Sequence, residues 1–383
     1  MIDRRALIGS AMFGAGVLAF APAISFAAAP TDRRFVFIIQ RGAADGLAMV
    51  APIGDPAFAG ARGALAEVDS GARLDATFSL HPALAETARL YAAGEALFGH
   101  ALASSYRDRS HFDGQNILET GGRDAYVEKT GWMNRLAAML PGGEGNALAI
   151  ARAVPMALRG PVEVASYAPS ALPGASEDLL MRVGALYEGD ARLHALWQSA
   201  MQTRLLASDL SREKGRAGQM TGALAARLMA PADGARLVMI ETGGWDTHSG
   251  QKGRLAQQLG GLDAMIAALK AGLGQAWTNT MILVATEFGR TVAVNGTGGT
   301  DHGTGAAAML LGGAVRGGRV LADWPGLRAG ALYEGRDLRP TLQLESFVAG
   351  ALASHYGLDS ARMTGSLYPT IAGLKPTDGL ARA

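Results

Sequence analysis

The sequence predicts an α/β protein with a mostly parallel central sheet flanked by helices on both faces, and three observations carry that prediction. Short apolar runs, Arg34 to Gln40, Arg236 to Ile240 and Thr280 to Ala285, read as buried strands, each ending in a polar loop that bears glycine. Between the last two, Leu255, Leu259, Leu262, Ile266, Leu269 and Leu273 recur at alternating spacings of four and three, the period of an amphipathic helix. The composition, 49% apolar and 18% charged over 383 residues, is that of a globular chain able to bury a large core. In an open parallel sheet, ligands bind beyond the carboxyl ends of the strands, so the chemistry is expected in those loops.

The chain opens on a targeting segment. Asp3-Arg4-Arg5 precedes an uncharged run from Ala6 to Ala29, and Ser25-Phe26-Ala27 offers the small residues that a signal peptidase reads, so cleavage is expected after Ala27. The paired arginines point to the twin-arginine translocase as partner during export, and so to a periplasmic or otherwise exported protein. The run is rich in Gly and Ala and too weakly apolar for a lasting anchor; no later stretch has spanning length, and no stable membrane insertion is expected. Removing residues 1–27 takes one net positive charge from a chain of formal net charge +1 and leaves it neutral. A neutral chain with no basic run gives no reason to expect a nucleic-acid partner. With no cysteine, disulfides, thiolate metal sites and cysteine nucleophiles are excluded. Residues 28–383 read as one domain with a helical and irregular insertion around 121–229, rich in proline at first.

The strand ends supply the candidate residues. The first strand runs into Arg41-Gly-Ala-Ala-Asp-Gly46, where Asp45 is either a functional carboxylate or an Asp-Gly turn residue bonding its own backbone. Leu80-His81-Pro82 is expected to open a helix, with Pro82 in the first turn. Ala96 to Leu102 reads as another strand, leading through a charged loop to a helix that begins near Ser110. A hydroxyl there is a helix cap or a nucleophile, and the helix N-terminus can receive an anion, with Arg109 and His111 as substrate contacts. Beyond Ile240, Glu241-Thr-Gly-Gly-Trp-Asp-Thr-His presents Asp246 and His248. Beyond Ala285 comes Thr286-Glu287-Phe288-Gly289-Arg290, with Arg290 a further substrate contact. Gly298-Gly-Thr-Asp301-His302-Gly303 precedes a fourth apolar run, Ala306 to Leu311. Asp45, Asp246, His248, Glu287, Asp301 and His302 are oxygen and imidazole donors that suit zinc, manganese, magnesium or calcium, as one ion or two bridged ones.

The signal segment, Arg41-Gly-Ala-Ala-Asp-Gly, Ser110-His111-Phe112, Gly244-Trp-Asp-Thr-His, Glu287-Phe-Gly-Arg and Gly298-Gly-Thr-Asp-His-Gly, in this order, resemble the exported bacterial family called domain of unknown function 1501. That family is similar in fold to the alkaline phosphatase and sulfatase superfamily, which implies an alkaline-phosphatase-like domain hydrolysing small anionic esters of phosphate or sulfate. By the same resemblance Asp45 matches the first-strand metal ligand, Asp246 and His248 a ligand pair, Glu287 the acidic half of an Asp-His pair, His302 the last histidine, and Ser110 the nucleophile. Two departures stand out: Phe288 occupies the place of a usual histidine ligand, and Asp246 lies closer to His248 than the usual pair does. The residues thus leave two functions open, a metal-dependent ester hydrolase and a noncatalytic metal-binding or accessory protein on the same scaffold.

Overall fold

The computed structural model describes residues 31–66, 71–141, 147–151, 153–167, 177–190, 192–194, 197 and 217–382; the segment expected to direct export, residues 1–27, lies outside them. Among the described residues there are twelve strands: β1 (Arg34–Gln40), β2 (Val50–Ala51), β3 (Ala72–Arg73), β4 (Ser79–Leu80), β5 (Ala96–Ala103), β6 (Ala147–Ile150), β7 (Ala165–Ser166), β8 (Leu237–Thr242), β9 (Thr280–Ala285), β10 (Ala306–Leu311), β11 (Arg319–Leu321) and β12 (Leu342–Gln343). Nine of them make one sheet in the order β11-β5-β10-β9-β1-β8-β6-β7, with β12 also on β5, while β2, β4 and β3 form a small separate sheet. The central strand β1 is entirely buried and pairs in parallel with β8 on one side and β9 on the other. That is why it reads as a continuous apolar run and shows no alternation.

The sheet is mixed. β10 runs antiparallel to both β9 and β5, whereas the other pairings in the large sheet are parallel. The reversal has a functional consequence: the start of β10, not its end, lies at the edge where β1, β5, β8 and β9 finish. A loop preceding a strand is thereby brought beside loops that follow strands.

Helices cover both faces. They are α1 (Gly46–Met49), α2 (Phe58–Arg62), α3 (Ala85–Ala92), α4 (His111–Thr120), α5 (Trp132–Met139), α6 (Glu177–Tyr187), α7 (Ala217–Met229), α8 (Gln251–Leu273), α9 (Leu344–Tyr356) and α10 (Ser360–Leu367). Alternate residues of β1 divide the core, as a period of two requires. Val36 and Ile38 pack with Leu224, Leu228, Leu259, Ile266 and Leu269 of α7 and α8. Phe35, Phe37 and Ile39 pack with Trp132, Phe347, Leu352 and Leu367 of α5, α9 and α10 on the opposite face. Among the described residues no helix is long and apolar enough to cross a membrane.

Two expectations need correction. The segment 121–229 is more than a helical and irregular insertion, because it adds β6 and β7 to the sheet and α7 to the core. The helix expected from Pro82 begins at Ala85, after a turn in which Leu84 N–H donates to His81 O at 3.0 Å. Its first free N–H groups, at Glu86 and Thr87, are taken by the Asp263 carboxylate of α8 at 2.8 Å each, so a distant side chain does the capping.

Candidate metal centre

At the carboxyl edge of the sheet, the loops after β1, β5, β8 and β9 meet the loop before β10. Close approach of the first and third depends on Gly42, whose φ is +119° and where a Cβ would stand 2.5 Å from Asp246 N. The Gly42 N–H donates to Glu287 at 2.8 Å, which ties in the loop after β9.

Four donor side chains converge there. Asp246 Oδ1 lies 3.0 Å from His248 Nε2 and 3.4 Å from His302 Nε2, and Asp246 Oδ2 lies 3.5 Å from His111 Nε2. His111, Asp246 and His302 each offer a ligand atom within 4.8 Å of the other two, a grouping that could hold a metal ion. His248 Nε2 lies 3.1 Å from His302 Nε2.

The other ring nitrogens decide what these atoms are. His302 Nδ1 meets the backbone carbonyl of Arg109 at 3.0 Å, and His248 Nδ1 meets the Asp301 carboxylate at 3.0 Å. Both partners only accept, so each Nδ1 carries a proton and each ring is turned with its Nε2 toward Asp246. His111 Nδ1 is likewise held by Glu287 Oε1 at 2.8 Å, and its buried Nε2 has no hydrogen-bond partner. Unprotonated, these Nε2 atoms would set their lone pairs against one another beside a carboxylate, an arrangement that a cation lying among them relieves. His111, Asp246 and His302 thus form a group whose chemistry suits a metal ion, with His248 adjoining it.

The surroundings hold this set in place. Phe288 stacks on His111 at 5.1 Å between centroids and tilts against His302 at 5.4 Å, so the residue in the place of a usual histidine fixes two imidazole planes instead. Gly114 of α4 admits Phe288, since a Cβ there would come to 3.0 Å from the ring. Arg290, fully buried, donates to Asp246 Oδ1 at 2.6 Å and to Thr300 Oγ1 at 3.1 Å. Burial alone would raise the Asp246 carboxyl, but Arg290, His248 and His111 outweigh it and hold it below the usual carboxylate range. The Glu287 bond raises His111, whereas burial followed by repulsion from His111 lowers His302.

The structure gives several expected site residues other work. Asp45 is no ligand: its oxygens accept from Leu47 N–H at 3.0 Å, from the wholly buried Arg62 and from Gln251. The Arg62 guanidinium already neutralises it, so the carboxylate expected as the first-strand metal ligand is engaged elsewhere. Glu287 also stands behind the donors, since Oε1 accepts from His111, Gly42 and Gln115 while Oε2 accepts from Thr286. Asp301 orients His248 and accepts from Asn295. Arg109 pairs with Glu334 and Asp337 and reaches the centre only through its carbonyl, while the Arg290 guanidinium is spent on Asp246 and Thr300; neither is a free substrate contact. Ser110 occupies the cap position of α4, where its hydroxyl makes no capping bond and its N–H donates to Tyr106 Oη at 3.0 Å.

His111 was expected to touch substrate and instead joins the donor set. A histidine one residue after a loop that follows a strand was the available signal. Arg41 and Gln115 were missed altogether: Gln115 bonds both Arg41 and Glu287, and Arg41 pairs with Glu119 and Glu241.

The family described as Protein of unknown function (DUF1501) matches residues 103–366, most of the chain. The chain belongs to this family. No curated protein matches the sequence. Among solved structures, it is similar to the C-terminal periplasmic domain of EcEptC from Escherichia coli in complex with zinc, at 11% identity, 77% of each chain and TM-score 0.33. It is also similar to Ps i-CgsB in complex with k-i-k-neocarrahexaose, at 8% identity, 90% of this chain, 77% of that one and TM-score 0.36. A third is the phosphonate monoester hydrolase of Agrobacterium radiobacter, at 12% identity, 76% of this chain, 70% of that one and TM-score 0.26.

Proposed function

We propose that this member of the family is an exported metal-dependent hydrolase of small phosphate or sulfate esters, working through one zinc-class ion. The observation that carries the metal is the set of Nε2 atoms gathered on Asp246, each ring fixed from behind by a carboxylate or carbonyl. When bound, such an ion supplies Lewis-acid chemistry, polarising an ester oxygen and lowering the pKa of water. The chain's own residues set the charge and the access. Arg290 offsets the single ligand carboxylate, so the positive charge remaining at the centre can attract an anionic ester. The side chains of Asp246 and His248 are 41% and 44% exposed, so water and substrate can reach the centre. Ser110, next to His111, is the candidate nucleophile, and the N–H groups of the first turn of α4 can receive the anion.

A second reading has a specific observation in its favour. Three imidazoles and a carboxylate fill a tetrahedral shell, as in structural zinc sites, which fits a noncatalytic metal-binding or accessory protein. Metal analysis of the purified protein with a phosphate and sulfate ester screen separates the two. For the hydrolase, wild type holds one ion and turns over at least one ester, Asp246→Ala loses both ion and turnover, and Ser110→Ala keeps the ion but not turnover. Wild type with metal and no activity on a broad panel, matched by Ser110→Ala, refutes hydrolysis.

A further inference from the structure

Asp45 and Asp246 stand in different loops, after β1 and after β8, and a line of buried side chains joins them. Gln251, the first residue of α8, donates from Nε2 to Asp45 Oδ2 at 2.5 Å. Its Oε1 accepts from Thr247 Oγ1 at 2.9 Å and from Thr300 Oγ1 at 2.6 Å. Thr300 Oγ1 in turn accepts from Arg290 Nε at 3.1 Å, and Arg290 Nη1 donates to Asp246 Oδ1 at 2.6 Å. Asp45, Gln251, Thr247, Thr300 and Arg290 are all buried, so each polar group depends on its neighbour in the line and not on bulk water.

Each bond in this line has one allowed direction. The Asp45 oxygens, paired with Arg62, only accept, so the Gln251 amide must turn its NH₂ to them. The amide oxygen then faces the two threonines and takes both hydroxyl protons. A threonine has one proton to give, so the Thr300 oxygen is left to accept from Arg290. Arg290 Nη2 donates to the Thr300 carbonyl, and with that edge of the guanidinium fixed, Nη1 is aimed at Asp246. Asp246 Oδ1 is thereby pinned, while Oδ2 lies 3.5 Å from His111 Nε2.

The same residues tie together the loops that carry the donors. Thr247 lies between Asp246 and His248, Thr300 lies two residues before His302, and the Thr300 N–H donates to Thr247 O at 3.2 Å. The Gln251 N–H donates to Gly298 O at 2.9 Å, so the start of α8 grips both loops.

We propose that Gln251 and Thr300 are positioning residues of the metal centre, the middle of a one-way chain of hydrogen bonds that starts at Asp45 and sets the Asp246 carboxylate through Arg290. This rests on the metal reading above and deepens it, because Asp45 then serves the ion from a distance without touching it. Partners that orient ligand side chains are worth about 10- to 100-fold in metal affinity, so breaking the chain is expected to weaken zinc binding by about tenfold.

Thr300→Val keeps the shape of the side chain and removes the hydroxyl, whereas Thr300→Ser keeps the hydroxyl and removes a methyl group from the packing. Both are compared with wild type and with Gln251→Met, zinc affinity being read by competition with a chelator and folding by the urea midpoint. The expected result is that Thr300→Val binds zinc about tenfold more weakly than wild type and Gln251→Met at least about threefold more weakly, while Thr300→Ser stays within about threefold even where its midpoint falls. Equal losses in Thr300→Val and Thr300→Ser would show that packing and not the hydroxyl matters, and would overturn the proposal. Wild-type affinity in Thr300→Val or in Gln251→Met also overturns it and leaves the metal centre standing. Wild type that binds no zinc overturns the metal reading, and the positioning role with it.

Discussion

Replacing Glu287 by Gln probes the metal centre from behind. Glu287 Oε1 accepts from His111 Nδ1 at 2.8 Å, Gly42 N at 2.8 Å and Gln115 Nε2 at 3.0 Å, while Oε2 faces Thr286 Oγ1 at 2.9 Å. In Glu287→Gln the amide oxygen can keep all three donors. The new NH₂ can turn to Thr286 Oγ1, whose hydroxyl proton then points to Gln40 O, 2.7 Å away. Shape and hydrogen bonds are thus retained and one negative charge is lost. A neutral acceptor behind Nδ1–H makes Nε2 a weaker donor, and partners of this kind are worth about 10- to 100-fold in metal affinity, or about 1.4–2.7 kcal/mol. The assay is competition for zinc between the protein and a fluorescent chelator at neutral pH, with circular dichroism to verify folding. Glu241→Gln serves as control: Glu241 is a partly exposed partner of Arg41, and its loss should change zinc affinity by no more than about twofold. If Glu287→Gln binds zinc as tightly as wild type, His111 is not a ligand oriented by Glu287, and the derivation of the donor set fails.

Asp45→Ala should leave one metal ion per chain but destabilise the protein by about 3–5 kcal/mol, because it strands the Arg62 guanidinium in the interior. Metal analysis and urea unfolding check this, and loss of metal at unchanged stability would make Asp45 a ligand after all. Burial pushes the Glu345 carboxyl from 4.5 up to about 7. Folding therefore holds a proton that the unfolded chain releases, and stability should fall as pH rises between those values, by roughly 3 kcal/mol in all. Urea midpoints across that range should flatten in Glu345→Gln, and an unchanged slope would assign the pH dependence to other groups. Replacing Arg4 and Arg5 together by Lys should hold the precursor in the cytoplasm, because the twin-arginine receptor reads guanidinium groups; undiminished periplasmic yield would count against that route.

The sequence by itself determined the α/β class, the central strand, the long helix at Leu255 to Leu273 and the loops in which the chemistry gathers. These follow from local quantities, namely apolar period, strand length and the glycines that let a strand end turn. Asp246, His248 and His302 stood out as candidates because each is an acidic or imidazole side chain in such a loop. What tertiary structure alone decided is which groups face one another. Asp45 and Asp246 look alike in sequence, but Arg62, 17 residues on from Asp45, folds back to neutralise one carboxylate, while Arg290 leaves the other aimed at three imidazoles. His111 sits at a helix start and reads in sequence as a substrate contact; its place in the group with Asp246 and His302 depends on Glu287, distant in the chain, which takes its Nδ1. The tautomers of His248 and His302 depend on Asp301 and on a backbone carbonyl at Arg109, contacts with no signature in a linear pattern. His302 reaches the common edge because β10 is reversed, and strand direction is fixed by pairing across the sheet, which no local period encodes.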